Sequence, residues 1–144
     1  MMWGVCLLIL RIFSIIGGNS LIEIVMAHLD LNVLAAEGTD GYQIVQFKGE
    51  MDKSNLDQVR DVLTKFVEEY QKQVLIFDLM YFDFINSEGV GYIVSLFYKL
   101  KKKEQTLRII NVQPKVEDVF NLIGLSQLIK CYPDLAAALA DPVQ

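Results

Sequence analysis

Residues 74–79, VLIFDL, form a nearly continuous apolar run that is too short for a helix buried on all sides. A strand of this kind has no polar face to give to water, so something must cover both of its sides. The flanking segments supply the cover, because both carry the helical period. In MDKSNLDQVRDVLTKFVEEYQKQ, residues Leu56, Val59, Leu63, Phe66, Val67 and Tyr70 fall on one face, with Asp52 or Ser54 available as the N-cap. In VGYIVSLFYKLKKK, Val90, Ile93, Val94, Phe97 and Leu100 form a second stripe.

Strand and helix patterns alternate along the rest of the chain. HLDLNVLAAE and YQIVQFKGE have strand-like lengths, and the Gly and Asp of EGTDGY between them predict a hairpin. TLRIINV is a further strand. PKVEDVFNLIG opens with a first-turn proline and closes on Gly124, as a helix does. LIKCY is a last edge strand, and PDLAAALAD a closing helix. This order predicts an α/β fold, a mixed β-sheet with helices packed against it. A length of 144 residues suits one domain with a real core. The segment MYFDFINS is expected to be a loop, although Met80, Tyr81, Phe82, Phe84 and Ile85 are unusually apolar for one, either tucked under the fold or offered to a partner.

Residues 1–25 differ from the rest of the chain and form an apolar N-terminal extension, with the domain expected over 26–144. The apolar run is broken by Arg11 before it reaches the roughly 20 residues that span a bilayer. It also lacks the basic start and the small-residue cleavage site of a secretory signal. A monotopic anchor and a natural start at Met26 are the two readings, so a membrane role stays open. The second is favoured because the regular strand pattern begins just after Met26.

Composition excludes several classes of function. The net charge is −5 and the pI about 4.8, which leaves no broad positive field for a phosphate backbone, so nucleic acid is not an expected partner. Lys99, Lys101, Lys102, Lys103 and Arg108 do cluster, and are expected to form a solvated helix end. Cys6 and Cys131 cannot make a disulfide framework, and the single His28 leaves no imidazole cluster for a metal. No GxxxxGK[ST] or GxGxxG is present, so no cofactor is expected, and a reducing cytoplasm is the simplest location. An enzyme would need a paired acid and base, for which Asp78 and Asp83 are the nearest candidates, better explained as strand-end and loop acids.

The stretch DFINSEG, residues 83–89, places Ser87 between the apolar segment and the glycine-spaced helix. A hydroxyl at a helix start is either an N-cap or an exposed group that another protein can modify. Gly89 and Gly91 cost a helix about 1 kcal/mol each relative to Ala, so tight packing or a close partner backbone is expected there.

Residues 74–139 as a whole resemble the STAS domain of bacterial anti-sigma factor antagonists. The shared pattern is an apolar strand, Asp-Leu, a short apolar stretch, Asp-Ser-Ser/Thr-Gly-x-Gly and a later Gly-Leu. FKGEMDKSN resembles the family's Gly-Glu-Leu-Asp segment, and the likeness extends over about residues 29–140. Asn86 stands where the family has its acid, and Glu88 where it has the second Ser or Thr. The resemblance implies a protein-binding module with no catalytic residues. It implies that an anti-sigma factor serine kinase phosphorylates Ser87, that the unphosphorylated form captures this kinase, and that a PP2C-type phosphatase resets the switch. It implies partner-facing roles for Asp52, Asp83, Asn86, Ser87, Glu88 and Gly89. A non-switched STAS adaptor in a transport or signalling complex is the alternative, with Ser87 only a cap.

Overall fold

The computed structural model describes residues 9–16, 19–34 and 41–143. Among these, seven strands form one sheet: β1 (Ile9–Ile16), β2 (Asn19–Met26), β3 (Leu29–Leu34), β4 (Tyr42–Met51), β5 (Val74–Ile85), β6 (Thr106–Ile110) and β7 (Cys131–Tyr132), neighbours in that order. β1 to β4 run antiparallel to one another, whereas β4 to β7 run parallel. Parallel neighbours need crossovers. Three helices supply them: α1 (Leu56–Glu69), α2 (Ser87–Lys102) and α3 (Pro114–Ile123). A short α4 (Leu135–Ala140) closes the chain. The fold is therefore the mixed α/β sheet that the alternation predicts.

The two sheet faces are filled differently. On one, Leu31, Val45, Phe47, Phe77, Leu79 and Phe82 meet Val59, Leu63, Ile93, Leu96 and Phe120 from the crossover helices in the main core. Phe47 sits edge-on to Phe77 and Phe82, with ring centroids 4.9 and 5.6 Å apart, a favoured aromatic arrangement. On the other, Val74, Ile76, Ile110 and Ala138 form a smaller cluster beneath α4. The central VLIF run is thus covered on both sides, as its composition requires.

Two expectations need correction. MYFDFI is not a loop: β5 continues to Ile85, with Phe82 and Ile85 in the core. Of the expected solvated cations, two are structural. Lys103 Nζ donates to the carbonyls of Val67 (2.9 Å) and Tyr70 (2.6 Å), capping the end of α1. Arg108 is buried in β6 and donates to the carbonyls of Ala138 and Pro142 at the end of α4.

Towards the N-terminus the sheet includes residues before Met26. β2 pairs with β3 from Leu21↔Leu34 to Met26↔Leu29, and Ile24 and Met26 are buried. Cys6 and most of the EGTDGY turn lie outside the described residues.

Candidate functional site

The carboxyl ends of two adjacent parallel strands, β4 and β5, build the site. Met51 pairs with Ile85, and the Asn86 N–H donates to the Met51 carbonyl at 3.2 Å, so the turn into α1 and the turn into α2 lie side by side. At such an end the first helical N–H groups lack intrahelical acceptors and point outward.

Asn86 is the N-cap of α2. Its backbone is extended, with φ −85° and ψ 170°, and its Oδ1 accepts the Gly89 N–H at 2.8 Å. That geometry satisfies one orphan donor and leaves the capping position filled. Ser87 is consequently the first helical residue and not the cap. It is exposed, and among the described residues nothing hydrogen-bonds its hydroxyl. Glu88 follows in the first turn, also exposed, where a carboxylate complements the helix dipole.

Gly89 is buried against its own chain. A Cβ there would lie 2.8 Å from Ile85 Cγ1, 3.0 Å from Met51 Sδ and 3.2 Å from Asn86 Oδ1. Of the two expectations for this glycine, the structure shows the tight packing, with Gly89 itself buried against Ile85 and Met51 at the ends of β5 and β4. Gly91 differs, because it is exposed and a Cβ there would meet nothing within 4 Å.

The acids divide between local and outward roles. Asp52 Oδ1 accepts from the Ser54 N–H (2.7 Å) and the Ser54 hydroxyl (2.6 Å), which hold its carboxyl below the usual range and close the turn before α1. Neither Asp52 nor Ser54 caps α1, since Asn55 occupies that position. Asp83 is exposed on β5. Asp78 is bound by Gln46 Nε2 (3.3 Å), Asn111 Nδ2 (3.0 Å) and the Met80 N–H (3.1 Å). Five positions along a strand separate Asp78 from Asp83, on the order of 15 Å at roughly 3.3 Å per residue. They do not form an acid and base pair.

Asn55 is the residue that sequence reasoning missed. Only 1% exposed, it donates from Nδ2 to the carbonyls of Ala27 (2.7 Å) and Glu50 (2.8 Å), and its Oδ1 accepts the Asp52 N–H (3.1 Å). It ties the β2–β3 turn to the site. Gly49 makes the same junction possible: its φ is +111°, and a Cβ would fall 2.2 Å from the His28 carbonyl oxygen. The Gly and Asn of GEMDKSN were the available signal, but neither names its distant partner.

Comparison with known proteins agrees with this architecture. Residues 33–138 match the STAS domain family. The chain is 25% identical over 101 residues to the anti-sigma F factor antagonist of Paenibacillus polymyxa, covering 70% of this chain and 86% of the relative. An anti-sigma factor antagonist from Mycobacterium paratuberculosis shares the fold, with a TM-score of 0.66, 24% identity, and 78% and 92% of the two chains covered. The STAS domain of a SulP transporter from Vibrio cholerae shares it too, with a TM-score of 0.57, 14% identity, and 73% and 82% covered. Among the described residues, no helix is long and apolar enough to cross a membrane.

Proposed function

The chain belongs to the STAS domain family, and we propose that within it the protein is an anti-sigma factor antagonist: a binding module, not an enzyme, that captures an anti-sigma serine kinase and is released from it by phosphorylation of Ser87. The observation that carries this reading is the exposed Ser87 hydroxyl, with no hydrogen-bond partner among the described residues, beside an asparagine that already caps the helix. Modification at Ser87 leaves the cap in place.

In the transfer step, Ser87 Oγ attacks the γ-phosphorus of ATP. The bond from that phosphorus to the β,γ-bridging oxygen breaks, ADP leaves, and the hydroxyl proton passes to a base of the kinase. The product is an anion at a helix N-terminus, which contributes about 0.3–1 kcal/mol of stabilisation. The fold therefore tolerates the phosphate. A partner contact shaped for a neutral hydroxyl does not, because it would desolvate about two negative charges. A thousandfold loss of affinity needs about 4 kcal/mol, within the range of an unpaired buried charge. A PP2C-type phosphatase returns the hydroxyl, with water as the acceptor of the phosphoryl group.

Glu88 favours a second reading. Exposed and next to Ser87, it already places a negative charge where the switch would add more. A non-switched adaptor in a transport or signalling complex fits that arrangement. Binding of Ser87→Ala and Ser87→Asp to the serine kinase of the same genome separates the two: the switch requires Ala to bind and Asp to fail, and the adaptor reading requires both variants to behave alike.

A further inference from the structure

Two irregularities in β5 change what the end of that strand presents. Against β4, the pairing skips between Asp78 and Tyr81 and again between Phe82 and Phe84. A regular strand would send alternate residues to the core. Each skip adds a residue on one side, the signature of a β-bulge. Met80 and Tyr81 are thus exposed in succession, and so are Asp83 and Phe84, while Leu79, Phe82 and Ile85 stay in the core. Met80, Tyr81 and Phe84 are 42%, 52% and 44% exposed, and Phe84 lies three residues before Ser87.

The surroundings of this strip are charged, and mostly of one sign. Lys48 Nζ lies over the Tyr81 ring, 5.6 Å from its centroid. Glu50 pairs with Phe84 across the strands, and Glu50, Asp83 and Glu88 are all exposed. On the same sheet face, among the described residues, α4 covers only the far end, over Val74, Ile76 and Ile110.

We propose that the partner surface continues from the start of α2 onto the open sheet face, where Met80, Tyr81 and Phe84 form its apolar part. The occupant is the anti-sigma kinase itself, presenting apolar side chains flanked by basic ones that meet Glu50, Asp83 and Glu88. This rests on the function proposed above. Continuity with the Ser87 site and the acidic border select that occupant, and a strand holds the anchors in place without a cost of ordering a loop.

The test is calorimetric titration of the full chain with the purified anti-sigma serine kinase encoded in the same genome. The variants are Met80→Ser/Tyr81→Ser/Phe84→Ser, Tyr81→Ser alone should the triple change fail to fold, and Leu122→Ser as the control, since Leu122 is 87% exposed on α3. The triple variant is expected to lose on the order of a hundredfold in affinity, as truncated aromatic anchors do, and Tyr81→Ser at least about tenfold, with Leu122→Ser unchanged. Wild-type affinity in the folded strip variants, with Ser87→Asp still unable to bind, overturns the inference and leaves the switch standing. Failure of the kinase to bind the unmodified wild-type chain overturns both.

Discussion

Asn86 Oδ1 accepts the Gly89 N–H at 2.8 Å, so the acceptor that closes the first turn of α2 comes from residue 86 and leaves Ser87 outside the cap. Asn86→Ala is expected to cost about 1 kcal/mol of stability. Ser87→Ala, at an exposed position without a hydrogen bond among the described residues, should stay within about 0.5 kcal/mol of wild type. Urea denaturation of both variants checks this, and the reverse ranking would return the cap to Ser87.

The two glycines of α2 are expected to respond in opposite directions. Gly89→Val pushes into Ile85 and Met51 and should destabilise the fold by about 1–3 kcal/mol. Gly91→Ala meets nothing within 4 Å and should stabilise it by about 1 kcal/mol through helix propensity. Thermal melts of the pair give the two signs directly.

Asn55→Ala removes the donors to the Ala27 and Glu50 carbonyls without touching Ser87. A loss of about 1–3 kcal/mol is expected. Hydrogen exchange should show faster opening of the β2–β3 turn and the start of α1 than of β6.

Asp141 gives the fold an acid-sensitive latch. The Tyr132 hydroxyl (2.5 Å) and Lys130 Nζ (2.9 Å) both donate to its Oδ2 and hold its carboxyl below the usual range. A depressed folded pKa contributes stability that is complete above the unfolded value, about 3.9, and is lost as pH falls through the folded one. The difference in melting temperature between wild type and Asp141→Asn should therefore be present at pH 7 and shrink below about pH 4. A difference that stays constant across that range would exclude the latch.

Periodicity made most of the fold legible. Leu56, Val59, Leu63 and Val67 are buried on α1 as their spacing requires, and Pro114 and Gly124 bound α3. The end of β5 was hidden because its two bulges break the alternation that marks a strand, leaving Met80 and Tyr81 to look like loop residues. β2 was hidden for another reason: an apolar run has the same composition in a strand as in an anchor. At the site, the sequence placed Ser87 at a helix start but could not rank Asn86 and Ser87 as caps, since both residue types accept backbone N–H groups. Asn55 was invisible because its partner, Ala27, is distant in sequence and contributes only a carbonyl.

The most direct test of the switch is the mass of the protein isolated from its native cells, before and after phosphatase treatment, with the modified peptide mapped. One phosphatase-sensitive phosphate on Ser87 is expected. A chain that carries no phosphate on Ser87 under any growth condition, while still binding its partners, would contradict it.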